Sequence, residues 1–191
     1  MDISHIQKLR ELTGAGIVDA KKALEEVGGN LEKAVEILRK KGLVKAAGKT
    51  DRHTAEGLIH SYIHSNGKVG SMVELLCETD FVARTDTFRE LAHDLAMHVA
   101  ASNPLYLSSE DVPEEVLAKE KEIWAEEFHG KPQAALEKIL QGKLQKYFSD
   151  VCLLSQPFIK DEDITVEERI KHAVAKLGEN IKVRKFVRFG I

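Results

Sequence analysis

The chain has 191 residues, 43% apolar and 31% charged, enough for one good core plus a small satellite domain and inconsistent with a disordered polymer. Its 28 Lys and Arg against 31 Asp and Glu leave a net charge of -3, so no overall basic field draws it to nucleic acid or anionic lipid. Two distant cysteines, Cys77 and Cys152, suit reduced thiols; neither a leader-like start at Met1–His5 nor an apolar run long enough to span a bilayer is present, so a cytoplasmic protein without a membrane partner is expected.

The first forty or so residues read as three punctuated helices. Ser4-x-x-Gln7 offers a capping box, Ile3, Ile6, Leu9 and Leu12 recur at near-helical spacing, and Thr13-Gly14-Ala15-Gly16 is a stop. Ile17, Ala20, Ala23, Leu24 and Val27 stripe a second helix that Gly28-Gly29 ends. Asn30 caps a third, carrying Leu31, Ala34, Val35 and Leu38, which Gly42 closes. A three-helix unit over residues 1–42 is therefore expected, with an aperiodic linker at 43–55 and a core domain at 56–191. A unit of roughly 40 residues is marginal alone and suits an accessory docking role.

Past the linker the hydrophobic period changes. Two β-rich runs, 57–65 and 68–77, flank Asn66-Gly67, a hairpin signal in which both turn residues take positive φ. The second run ends at Cys77-Glu78-Thr79-Asp80-Phe81, which places a large aromatic beside an acid at a strand tip: folded back into the core, or held out for another molecule. Helix resumes over 85–101, with Thr87-x-x-Glu90 as its box and Phe88, Leu91, Leu95 and Val99 on one face, and Asn103-Pro104 ends it. Pro113 and Pro132 open two antiparallel helices in which Trp124 and Phe128 are packing residues. Thr165-x-x-Glu168 starts a last helix that Gly178 stops, and Ile181, Val183, Val187 and Phe189 alternate as a terminal strand. The fold class is α+β: three N-terminal helices, then an antiparallel sheet covered by helices.

Several chemical constellations fail on spacing. Gly42 to Thr50 resembles a phosphate loop, but five residues separate its glycines where the motif needs four, and a helix precedes it. Gly14-Ala15-Gly16 lacks the third glycine and the preceding strand of a dinucleotide fingerprint. His60 and His64 have the spacing of a helical zinc chelate, yet on a strand they stand roughly 13 Å apart. His93 and His98 point to different helix faces and read as partly solvated. Neither cysteine has an activating histidine in a known motif. The basic and aromatic run Lys182–Phe189 is more economically an edge or solvated strand face than an RNA contact.

The stretches "LRELTGAGIVDAKKAL" (9–24), "KGLVKAA" (41–47), "CETDFVAR" (77–84), "LAMHVAASNP" (95–104) and "GENIKVRKFVRF" (178–189), taken in order, closely resemble translation elongation factor Ts. The resemblance implies a ubiquitin-associated-like helical domain and a guanine-nucleotide exchange factor for elongation factor Tu, with no enzymatic reaction and no cofactor, metal or small-molecule substrate of its own. It implies that Thr79, Asp80, Phe81 and Val82 enter the GTPase domain and disturb its Mg²⁺ and phosphate site, releasing GDP. By the same matching Ile17, Val18 and Lys21 contact the GTPase domain, and His64 touches a distal domain of the partner. Longer members duplicate the core, whereas this chain offers one hairpin and one set of covering helices, so a homodimer meeting through its sheets is expected. No cysteine follows Cys152, so that contact through the terminal strand is non-covalent. Two rivals predict otherwise. A general protein adaptor built on the three helices would not need residues 77–84, and a nucleotide hydrolase using Gly48-Lys49-Thr50 would bind or turn over GTP by itself.

Overall fold

The computed structural model describes residues 3–130 and 132–191; Met1, Asp2 and Lys131 lie outside the described residues, as do the side chains of Leu43, Val44, Lys45, Ala47 and Ala134. Three helices come first: α1 (Ile3–Thr13), α2 (Ile17–Glu26) and α3 (Leu31–Ala47). They close on a small core of Leu9, Ala20, Ala23, Leu24, Ala34 and Leu38. The Asn30 carboxamide oxygen accepts from Lys33 N at 3.0 Å, satisfying one of the free amides at the start of α3.

Local details depart from the sequence reading. Ser4 lies inside the first turn of α1 rather than capping it, and Ile3 and Leu12 are exposed. Ile17 is not part of the inner stripe of α2; Ala20, Ala23 and Leu24 take that face. Gly42 does not end α3, which continues to Ala47. A Cβ at Gly42 would stand 3.1 Å from that of Ala175, so the missing side chain lets α3 pass close to α8 (Val166–Leu177) without leaving the helix.

The core sheet is antiparallel, with order β1 (Glu56–Ile63), β2 (Val69–Cys77), β5 (Ile181–Gly190), so β2 is paired on both sides. The hairpin is longer than a two-residue turn. His64 N donates to Val69 O and Gly67 N to His64 O, and only Gly67 has positive φ, so Asn66 need not adopt the left-handed region. In β5 the register shifts opposite Glu74 and Leu75, leaving Arg184 unpaired as a bulge. The bulge reverses the facing of the later residues: Phe186, aligned with Val73, packs on the core, while Val187 and Phe189 turn to the open face with Met72.

Helix α5 (Asp86–Ser102) lies against the inner face of the sheet with α8 beside it, closing a core built around Val73, Leu75, Phe88, Leu91, Leu95, Val99 and Val183. The N-cap of α5 is Thr85, whose hydroxyl accepts from Phe88 N, not Thr87 two residues later. Asn103 takes the left-handed cap at its end. The pair α6 (Glu114–Glu127) and α7 (Gln133–Val151) follows its two prolines as expected, with Trp124 buried edge-on to Tyr147. A short hairpin, β3 (Pro157–Phe158) and β4 (Asp161–Thr165), carries no strand signal in the sequence: two residues show no period, and β4 opens on three exposed acids instead of alternating. Thr165 and Glu168 form the expected reciprocal box on α8, and Gly178 ends that helix with φ 82°.

His98 is fully buried rather than partly solvated. Its two ring nitrogens meet Gln156 Oε1 at 2.9 Å and the amide of Ile159 at 3.2 Å, and burial holds its pKa below the ordinary value, so it stays a neutral bridge. His93 is exposed and pairs with His60 at 3.2 Å, while His64 meets Tyr62. Among the described residues no group of three or more His, Cys, Asp or Glu could hold a metal, and no helix is long and apolar enough to cross a membrane. In the basic terminal strand, Arg184 pairs with Glu74 at 3.0 Å and Arg188 Nε donates to Ala100 O at 2.9 Å.

Gly57, at φ 152°, leaves no room for a side chain against the central strand: an added Cβ would stand 2.1 Å from the Leu75 carbonyl oxygen. Backbone cannot swing aside like a side-chain end. Gly57→Ala should destabilise the fold by about 2–4 kcal/mol, read as a lower urea midpoint at an unchanged m-value.

Candidate functional site

The candidate site is a protrusion at the end of β2. The strand leaves the sheet after Cys77, which is aligned with Glu56 on one side and Ile181 on the other. What the sequence presents as a strand tip folds into one helical turn, α4 (Asp80–Ala83), with Thr79 as its N-cap; the Thr79 hydroxyl accepts from Val82 N at 3.4 Å.

This turn sorts its side chains. Ala83 is buried and Val82 packs against the main core cluster, so the turn is bolted down on one side. Phe81, one position earlier, projects away and is 77% exposed. The ring is therefore held out from its own core. Asp80 is half-buried and paired with Arg84 at 2.8 Å across one helical turn. A surface pair of this kind contributes little stability, so an incoming donor can exchange with Arg84 at small cost.

Behind the tip lies a polar anchor that sequence periodicity did not register. The Glu179 carboxylate, in the loop between α8 and β5, accepts from Glu78 N at 3.2 Å, Thr79 N at 3.0 Å and the Thr79 hydroxyl at 2.7 Å. In the reverse direction, Asn180 N donates to Glu78 Oε1 at 2.6 Å. The buried Asn180 side chain also donates to the carbonyls of Thr50 and Arg52, tying the segment after α3 to the same loop. Cys77 is sealed beneath the tip, its Sγ donating to Thr79 O at 3.1 Å; burial first, then the Glu179 charge, push its pKa up to about 11, which keeps it an inert thiol. Glu179 and Asn180 enter the sequence reading only within the family stretch 178–189. A carboxylate 100 residues from Thr79 has no periodic signature that would pair the two.

The other candidate residues lie elsewhere on the surface. Ile17 and Val18 are 59% and 64% exposed at the start of α2, beside exposed Leu12 at the end of α1. Lys21 sits one turn further along α2, 3.9 Å from Glu25. A cleft of ≈ 350 Å³ runs between the α1–α2 turn and the core helices, lined by Gly16, Asp19, Arg39, Lys49, Glu90 and His172. It borders both the start of α2 and the start of α5, next to the tip. His172 in this cleft is held below its ordinary pKa by burial and by the neighbouring charges of Arg39 and Arg169. Lys49, a phosphate ligand in the hydrolase alternative, donates instead to Gly178 O at the end of α8, at 2.5 Å. His64 lies at the far end of the hairpin, beyond β1, and is not brought to the tip.

An exposed aromatic on a braced turn is a geometry for pushing on another protein rather than for enclosing a substrate. The family model for elongation factor TS matches residues 5–191. The chain is 55% identical over 188 residues to the elongation factor Ts of Thermosipho melanesiensis, covering 97% of this chain and 96% of that protein. It is 55% identical over 188 residues to that of Moorella thermoacetica, with 97% and 93% covered, and 56% identical over 186 residues to that of Thermotoga petrophila, with 97% and 94% covered. On a likeness that runs nearly from end to end, this chain belongs to the elongation factor Ts family.

Proposed function

We propose that the protein is a guanine-nucleotide exchange factor that binds elongation factor Tu·GDP in the cytoplasm and speeds release of GDP, acting without covalent chemistry and without a cofactor. The observation that carries this reading is Phe81, 77% exposed on a turn whose next two residues, Val82 and Ala83, are fastened to the core. Such a ring gains its burial energy only in a partner. Mg²⁺ demands near-ideal octahedral coordination, so shifting the elements that carry its ligands in the GTPase weakens ion and nucleotide together. Phe81 supplies the apolar push and Asp80, exchanging partners with Arg84, the polar one. Thr79 acts as the cap that orients the turn and Val82 as its anchor.

The exposed Ile17 and Val18, with Lys21, supply a second contact on the GTPase domain, and the N-terminal helices act as a ubiquitin-associated-like docking unit. His64 supplies a third contact, on a distal domain. Because coupling is reciprocal, GDP weakens binding of the factor by the ratio in which the factor weakens GDP.

A homodimer completes the proposal. The open face of the sheet carries Ile59, Ile63, Met72 and Phe189, at 69%, 72%, 44% and 66% exposure, brought to one side by the strand register. A second copy related by a twofold axis would cover this face with its own.

Stopped-flow release of a fluorescent GDP from elongation factor Tu tests the wedge. Phe81→Ala should cost about 2–4 kcal/mol of coupling, and Asp80→Ala a smaller loss; a Phe81→Ala protein as fast as wild type would remove the assignment. Light scattering at micromolar concentration tests the dimer: wild type should run at twice the chain mass, and Phe189→Glu should weaken association by about tenfold or more. A wild type that stays monomeric would eliminate it.

A further inference from the structure

We propose that Glu179 is the positioning residue of the wedge: its carboxylate, not the strand alone, sets the direction in which Phe81 is presented. The inference rests on the exchange reading above and adds a residue that never touches the partner. Three donors converge on this one side chain, the amides of Glu78 and Thr79 and the Thr79 hydroxyl, at 3.2, 3.0 and 2.7 Å. They come from the two residues that join the last paired residue of β2 to α4, the point at which the chain direction changes. The ladder to β5 ends at the Cys77 and Ile181 pair, so beyond it the chain loses its sheet partner and the Glu179 carboxylate replaces it. The Thr79 hydroxyl donates to Glu179 and accepts from Val82 N, so a single group relays the orientation of the carboxylate into the helical turn that carries Phe81.

Glu179 is itself held. Gly178 before it ends α8 and receives Lys49 Nζ on its carbonyl, and Asn180 after it is buried, with its amide on Glu78 and its side chain on Thr50 and Arg52. The carboxylate therefore acts from a fixed base. Charge-assisted bonds to backbone amides are among the stronger polar interactions; a carboxamide in place of the carboxylate weakens the bonds to both amides and turns an NH2 group either against them or against the Thr79 hydroxyl, which must then accept where it now donates. The expected outcome is a tip that still exists but samples several directions, so that the partner must order it on insertion.

The test is epistasis in the stopped-flow GDP-release assay with elongation factor Tu, using wild type, Glu179→Gln, Phe81→Ala and the double variant. Glu179→Gln should lower the maximal release rate about tenfold while shifting the half-saturating factor concentration much less, because the other contacts remain. In the Phe81→Ala background the same change should have almost no further effect. Amide exchange should quicken at Glu78 and Thr79 and stay unchanged at Val73 and Leu75, a readout that also holds should release kinetics be limited elsewhere. Glu179→Asp, which keeps the charge and shortens the reach, should fall between and serves where the Gln variant is unstable. Equal losses from Glu179→Gln with and without Phe81 would mean that Glu179 only stabilises the fold, and a wild-type rate for Glu179→Gln beside a slow Phe81→Ala would overturn the positioning role while leaving the wedge intact. A Phe81→Ala protein at wild-type rate would instead remove the exchange reading, and the positioning role with it.

Discussion

The structure depends on β2 being the central strand. It is hydrogen-bonded along its length to β1 and to β5, and its last residue, Cys77, still has an aligned partner on each side. A strand held on both edges cannot pivot or slide without breaking two ladders at once. The turn that carries Phe81 begins three residues later and inherits that rigidity. An exposed aromatic on a slack loop would fold back onto its own surface or be pushed aside on contact. On this mount a load on the ring passes into a close-packed core of low compressibility.

The N-terminal helices are joined to the same place by polar bonds of unequal worth. The Arg52 and Glu78 pair, at 3.6 Å with the arginine half exposed, lies in the range where surface ion pairs contribute almost nothing. The bonds from buried Asn180 to the carbonyls of Thr50 and Arg52 weigh more, because losing them would strand buried polar groups. Above them, Gly42 lets α3 lie close against α8 at Ala175. The three-helix unit is thus seated on the helix whose end leads into the loop that braces the tip. Ile17, Val18 and Phe81 are consequently displayed on one framework, which under the proposed role lets two contacts on one GTPase domain act together.

Element type was legible in the sequence wherever a period ran long enough to register: the three helices, the hairpin, α5 with its stop at Asn103 and the boxed start of α8 all follow from spacing and punctuation. Misreadings fall where tertiary packing overrides a local signal. Gly42 reads as a stop because glycine usually frees a helix end, yet here it serves close packing of two helices. Ile17 reads as core because it keeps the stripe, yet it stands at the first position of α2 and stays exposed, while Ala20, Ala23 and Leu24 face the small core. Alternation in the last strand holds up to Val183 and is reversed by a bulge at Arg184 that no pattern announces. Phe81 was conspicuous as an oddity, but which way it points was not legible. That direction depends on Thr79 choosing a cap geometry and on Glu179 reaching it from the far end of the chain. Sequence periodicity carries faces and ends; it does not carry polar contacts between distant segments.

The size of the wedge limits what it can do alone. Burying one phenylalanine side chain is worth about 1.5–3 kcal/mol, which corresponds to a change of about 10- to 150-fold in an equilibrium constant. A preformed tip delivers most of that because little ordering entropy is lost on contact, whereas a mobile one would surrender a comparable amount. Under the exchange reading, any larger effect on GDP must arise inside the GTPase, where displacing an octahedral ion removes several interactions at once. Under that reading the modest scale would also make the action reversible: by linkage the nucleotide would expel the factor by the same ratio, and a tip that bound much more tightly would hold the empty GTPase instead of releasing it.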